Sequence, residues 1–305
     1  MNLLLTGCFK YTKEQFESIR SLGYNIYFIQ QEKEMLPLLA SKIDATVCNG
    51  LFLFHNIDEF TNLKFIQLTS TGFDRVPVDK INGRQIRLFN ARGVYSIPMA
   101  EWAVFRVLEH YKQGWFFKQE QTYRRWTKHR GLREIAGTKV AVVGAGNVGQ
   151  EVARRFQAFG TKITGFDIHT NETPFFDKME LASSLKEMIG EFDIIVVTAP
   201  LLPSTLHLIS REELMSMKVN AVLVNIARGG LIDESNMCEC LLKRPDLFAA
   251  LDVFEMEPLT EESQLWQLEN VAVSPHNSFV SDSNNERMFN VIYNNLKKFY
   301  RQIII

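Results

Sequence analysis

Four loops in this chain carry residue types that could do chemistry together, and each follows a short apolar run. Gly144-Ala145-Gly146-Asn147-Val148-Gly149 comes directly after the run Lys139–Val143 and opens an amphipathic stretch, Val148 to Phe159, that stops at Gly160. In a strand–turn–helix setting the three glycines have separate tasks. Gly144 allows the tight turn, Gly146 lets the backbone approach a pyrophosphate, and Gly149 permits close helix–strand contact. The helix start offers free N–H groups and partial positive charge to the phosphates. Asp167, closing the next run, would accept hydrogen bonds from adenosine ribose hydroxyls and repel a 2′-phosphate, so NAD is expected over NADP. Arg228 follows the run Ala221–Asn225 and presents a planar fork of donors that suits a carboxylate. Glu257 follows Ala249–Val253, and His276 follows Val271–Val273. A carboxylate beside an imidazole favours the imidazolium, the form that gives up a proton. Taken one at a time, Arg228 also fits a surface arginine, Glu257 a solvated loop acid and His276 a hydrogen-bonded structural histidine. Spacing alone does not bring Glu257 to His276.

The elements that must position these groups read as alternating strand and helix. From residue 1 to about 95 the strand candidates are Leu3–Leu5, Tyr24–Ile29, Ala45–Cys48, Phe65–Leu68 and Ile86–Phe89. Thr12–Leu22 between them has a helical apolar stripe and stops at Gly23. A long helix is predicted from Pro98 onward, with Trp115–Arg133 as a continuation and loop packing on a partner surface. The second series runs through Lys139–Val143, Lys162–Asp167, Ile194–Thr198, Ala221–Asn225, Ala249–Val253 and Val271–Val273. An amphipathic tail, Met288–Tyr300, ends the chain, and no further module is expected after it. Strict alternation of this kind predicts parallel sheets with covering helices, an α/β protein of two units with a cleft between them.

Composition sets the outer limits. The 305 residues are 46% hydrophobic and 23% charged, ordinary for a folded protein. With 34 basic and 35 acidic side chains the formal charge is −1, so no nucleic-acid partner is expected. No apolar run has the roughly 20 residues a membrane helix needs. The N-terminal Met1–Gly7 lacks a basic leader and reads as a first strand. Cys8, Cys48, Cys238 and Cys240 are too few for a disulfide scaffold, and Cys238-Glu239-Cys240 is no zinc half-site, so no metal and a reducing, cytoplasmic setting are expected.

The motifs in order resemble the NAD-dependent D-isomer-specific 2-hydroxyacid dehydrogenase family. Those that match are V-V-G-A-G-N-V-G, the run to Asp167, T-A-P-L-L-P-S-T-L-H at 198–207, N-I-A-R-G-G-L-I-D-E at 225–234, A-L-D-V-F-E-M-E-P at 250–258 and S-P-H-N-S at 274–278. Upstream, S-T-G-F-D-R-V at 70–76 is similar to the family's substrate-carboxylate loop, and N-A-R-G-V-Y-S-I-P-M-A-E at 90–101 to its crossover. The resemblance implies two doubly wound parallel-sheet domains: a flavodoxin-like substrate domain over 1–95 plus 277–305, and a Rossmann cofactor domain over 96–276. It implies Arg228, Glu257 and His276 as the catalytic set. NAD contacts are implied at Gly144, Gly146, Asn147, Val148, Gly149, Asp167, Ala199, Pro200, Thr205, Ala227 and Asp252. Substrate contacts are implied at Thr71, Gly72, Tyr95, Arg228 and Phe279. The substrate is a small 2-keto or D-2-hydroxy acid, and the assembly a homodimer through the cofactor domains. Thr71 and Asn277 depart from the family's usual residues and would reshape the pocket. Tyr95 and Phe279 are similar to aromatic positions of the D-lactate and D-2-hydroxyisocaproate branch, a pointer to small aliphatic keto acids. The competing reading is a catalytically silent NAD-sensing scaffold or corepressor-like protein on the same fold.

Overall fold

The computed structural model describes residues 1–304, with side chains to residue 302. It divides into two units, Met1–Val94 with the segment from Ser281 onward, and Tyr95–Val280. Residues 277–280 were expected with the first unit. They belong with the second because the Asn277 and Ser278 N–H groups bond to Asp252 there.

In the first unit, five parallel strands lie in the order β2-β1-β3-β4-β5. They are β1 (Asn2–Thr6), β2 (Asn25–Ile29), β3 (Ala45–Cys48), β4 (Phe65–Leu68) and β5 (Arg87–Phe89). This is the doubly wound order in which ligands sit beyond the carboxyl ends of the strands. Helix α1 (Lys13–Arg20) starts on a capping box, Thr12 accepting from the Gln15 N–H while Gln15 bonds back to the Thr12 N–H. Helix α2 (Val78–Gly83) precedes β5. The C-terminal helix Asn284–Ile304 returns to this unit. Phe299 packs on Phe65 with ring centroids 4.7 Å apart, and Asn295 donates to the buried Gln67 at 2.7 Å.

The second unit begins with α3 (Ser96–Tyr111) and α4 (Gly114–Thr122). Its first half continues through β6 (Lys139–Val143), α5 (Asn147–Gln157), β7 (Lys162–Asp167), β8 (Lys178–Leu181), α6 (Leu185–Met188) and β9 (Ile194–Val197). The second half holds α7 (Arg211–Ser216), β10 (Val222–Asn225), α8 (Glu234–Lys243), β11 (Phe248–Leu251) and β12 (Val271–Val273). The sheet runs β12-β11-β10-β9-β6-β7-β8, all parallel. Strands β9, β10 and β11 are buried on both faces, which is why they read as unbroken apolar runs instead of alternating ones. One face is covered by α3 and α5, whose Ala103, Val107, Val152 and Phe156 pack against Val140 and Val142. Phe159, at the end of the stretch read as amphipathic, is 39% exposed. It lies beyond the Ala158 cap, where the helical stripe no longer applies.

His110, near the end of α3, stacks on Phe248 at 4.0 Å. Burial, aided by the positive charge of Arg133, lowers its ring from 6.5 to about 4. The unfolded chain therefore takes up this proton first on acidification, and stability should fall as pH drops from about 6.5 to 4. Screened by the solvent that reaches the ring, the loss is at most about 2 kcal/mol. Urea midpoints at pH 7 and pH 5 should differ less in a His110→Gln variant than in the parent. An identical difference would remove this histidine from the acid sensitivity.

Candidate active site

The glycine loop joins β6 to α5, and each of its glycines meets a different surrounding. Gly144 has φ +102°, and a Cβ there would lie 2.6 Å from the Ala199 nitrogen. A Cβ on Gly149 would sit 2.0 Å from the Gly144 carbonyl oxygen, so loop and helix touch through main chain alone. Gly146 is the N-cap of α5, and a Cβ there meets nothing within 4 Å. Open space at a helix N-terminus, beside a strand-end acid, fits a dinucleotide pyrophosphate. Asn147 and Val148 form the first turn of that helix. The Thr198 hydroxyl donates to the Gly144 carbonyl at 2.6 Å and fixes the turn from the neighbouring strand. Asp167 accepts from the Ala145 N–H and the Ile168 N–H, both at 2.7 Å, so it also braces the loop.

The remaining residues expected around the dinucleotide are distributed less simply. Ala199 and Ala227 are buried at the ends of β9 and β10. The Thr205 hydroxyl closes its own turn, donating to the Pro200 carbonyl at 2.7 Å and accepting from the Leu202 N–H at 2.8 Å. Asp252 is 1% exposed. Its oxygens accept from the Ser274 hydroxyl at 2.6 Å and from the Asn277 and Ser278 N–H groups at 2.9 and 2.8 Å. Its carbonyl accepts from the His276 N–H at 2.7 Å. Here the carboxylate is a frame for the histidine loop.

Arg228, Glu257 and His276 stand beyond the carboxyl ends of β10, β11 and β12, which are adjacent in the sheet. The Arg228 turn is held by Asn225, whose side chain donates to the Arg228 carbonyl at 2.9 Å and accepts from the Ala227 N–H at 3.1 Å. The guanidinium donates to the Ala227 carbonyl at 2.7 Å. Gly229 admits no side chain, since a Cβ would fall 1.8 Å from the Phe254 carbonyl carbon. The Arg228 turn and the Glu257 loop are therefore pressed together.

His276 Nδ1 lies 2.8 Å from Glu257 Oε2, and the Phe254 N–H donates to Glu257 Oε1 at 3.1 Å. With both oxygens engaged the carboxylate has one orientation, and an Nδ1–H donated to it leaves Nε2 outside the pair. The pair is 39% and 37% exposed, so it meets solvent and can exchange protons with it. His276 has φ +49°, a left-handed conformation uncommon outside glycine, kept in place by the bonds to Asp252. Phe279 packs edge-on against the His276 ring at 5.9 Å and against Tyr95 at 5.6 Å. In the first unit, Thr71 and Gly72 follow β4, their carbonyls taken by Asn90 and Ser70 at 2.7 and 3.1 Å.

Residues 104–278 match the family model described as D-isomer specific 2-hydroxyacid dehydrogenase, NAD binding domain. The chain belongs to the D-isomer-specific 2-hydroxyacid dehydrogenases. It thereby belongs among NAD-dependent oxidoreductases. A hydroxypyruvate reductase of Thermotoga maritima is 33% identical over 252 residues, 80% of this chain and 81% of that one. A D-3-phosphoglycerate dehydrogenase of Methanocaldococcus jannaschii is 33% identical over 80% of this chain, which spans 47% of that relative's length. A crystal structure of a D-isomer specific 2-hydroxyacid dehydrogenase family protein from Aeromonas salmonicida superposes with a TM-score of 0.81 at 25% identity. It covers 99% of this chain and 96% of that one. Among the described residues no helix is long and apolar enough to cross a membrane, and no group of histidine, cysteine and acid could hold a metal ion.

Two contributors to this dehydrogenase site went unread in the sequence. Asn225 and Ser274 act on their neighbours through short-range hydrogen bonds. Their only signal was membership of the N-I-A-R-G and S-P-H stretches, where polar residues interrupt apolar runs at strand ends.

Proposed function

We propose that this dehydrogenase interconverts a small 2-keto acid and the corresponding D-2-hydroxy acid with NAD(H), using His276 as proton donor and acceptor. The observation that carries the reading is the 2.8 Å pair of His276 Nδ1 and Glu257 Oε2, at the end of the strand neighbouring the one that precedes Arg228. Arg228 binds the substrate carboxylate with its guanidinium fork. The glycine loop and Asp167 would hold NADH, which would supply the hydride for the keto carbon. His276 Nε2 gives its proton to the oxygen as negative charge develops there, and Glu257 steadies the imidazolium until that moment. The ring is then neutral and regains a proton from solvent. In the oxidative direction His276 must start neutral and takes the hydroxyl proton. Reduction should accordingly weaken as pH rises and oxidation as pH falls.

Phe279 and Tyr95 give the substrate side chain an apolar neighbour beside the imidazole, which favours small uncharged side chains such as those of pyruvate and 2-ketoisocaproate. Steady-state NADH consumption across a panel of 2-keto acids tests the proposal. Turnover of at least one small neutral member is expected. Tight NADH binding with no turnover of any member would overturn it. The exposed aromatic segment with Trp115, Tyr123 and Trp126 is the surface we assign to a homodimer through the NAD-binding domains, checked by the mass of the species in solution.

Asp167 also bears on the choice of dinucleotide. Its carboxylate braces Ala145 and would face the ribose hydroxyls, and Ile168-His169-Thr170 after it offers no arginine for a 2′-phosphate. Asp167→Ala is expected to lower the ratio of kcat/KM with NADH to that with NADPH by at least about tenfold. An unchanged ratio would transfer the discrimination to another group.

A further inference from the structure

We propose that His207 is a positioning residue for the proton relay: its imidazole clamps Glu255 and so sets Glu257, two residues on, against His276. The inference rests on the reading of His276 given above. His207 Nε2 lies 2.9 Å from Glu255 Oε1, and Nδ1 lies 3.9 Å from Asp233 Oδ2. The Glu255 N–H donates to Glu234 Oε2 at 3.1 Å, and the Glu234 N–H donates to Glu255 Oε1 at 3.3 Å. The imidazole thus meets two carboxylates, and Glu255 ties in a third, that of Glu234. Partial burial, together with the Glu255 charge, raises the Glu234 carboxyl.

The backbone under His207 makes the clamp directional. Its φ is +52°, and its N–H donates to the Gly230 carbonyl at 2.8 Å. Ile209 then bridges in parallel to Ile232. The ring therefore springs from main chain fastened to the turn that carries Arg228. On its far side it reaches the 254–257 segment, where Glu255 and Met256 are exposed and Glu257 meets His276. The clamp ties the arginine turn to the carboxylate that orients the proton donor, and His207 itself touches neither reacting group.

The test compares His207→Ala, His207→Gln and Glu255→Gln with the parent. In His207→Ala, kcat for keto-acid reduction should fall about tenfold with KM for NADH within twofold, because only the aim of the relay loosens. His207→Gln, whose amide N–H can still reach Glu255, should recover most of that loss. Adding Glu255→Gln to His207→Ala should cost little more. Independently of turnover, the downfield proton resonance of the His276 Nδ1–H in the substrate-free protein should weaken in His207→Ala and persist in His207→Gln. A lower melting temperature with kcat and that resonance both unchanged would overturn the clamp. If the resonance responds but the parent reduces no keto acid, the clamp stands and the proposed reaction falls.

Discussion

Replacing His276 with alanine is expected to lower kcat for keto-acid reduction by about 10²–10⁴-fold while NADH still binds. The developing oxygen anion would lose its proton source, and water would have to serve in its place without being held. Nothing in the glycine loop depends on the imidazole. Its hydrogen bonds run to Thr198, Asp167 and Gln150, all remote in sequence from residue 276. NADH affinity, read by fluorescence quenching, should therefore stay within a few-fold of the parent. Undiminished turnover in His276→Ala would take this residue out of the chemistry. Glu257→Gln should give a smaller version of the same loss, since an amide oxygen can still accept from Nδ1–H but carries no charge to hold the imidazolium.

Arg228→Gln should lower kcat/KM for the keto acid by about 10²–10³-fold, again with NADH binding retained. A charge-assisted fork on a carboxylate is replaced by a single neutral donor, and the polarising cation near the carbonyl is lost. The Asn225 side chain bonds to the main chain of the Arg228 turn, so the substitution leaves that turn's frame in place. Arg228→Lys separates charge from geometry. Recovery of most of the activity would mean that a point charge suffices, whereas a persistent defect supports two-point binding. A kcat/KM within threefold of the parent in Arg228→Gln would place the carboxylate elsewhere.

The parallel, fully buried strands were the most legible part of the sequence. Ala45–Cys48 and Phe65–Leu68 have the bounds their apolar runs suggested, because burial on both faces leaves a continuous signature, and Lys139–Val143 and Lys162–Asp167 keep theirs although each starts on an exposed lysine. Strand β8, Lys178-Met179-Glu180-Leu181, was missed: as the edge strand of its sheet it alternates polar residues and has few neighbours to satisfy. The C-terminal helix starts at Asn284, four residues before its apolar stripe begins at Met288, because its first turn faces solvent. At the site, the glycine loop was readable from spacing, since each glycine answers a steric demand that no other residue meets. The pairing of Glu257 with His276 was not, since two loops separated by a strand meet only when the sheet is built. Asp252's bonds were not legible either: that a strand-end acid would hold the Ser274 hydroxyl and two loop amides appears only once the sheet is built.

The scaffold beneath the imidazole has a consequence for how enzymes of this shape diversify. Asp252 grasps residues 277 and 278 by their amide nitrogens, never by their side chains. Position 277 can thus exchange asparagine for an aliphatic group, or the reverse, without unseating the histidine loop. Side chains can drift across generations at that address while the backbone frame under the imidazole stays put.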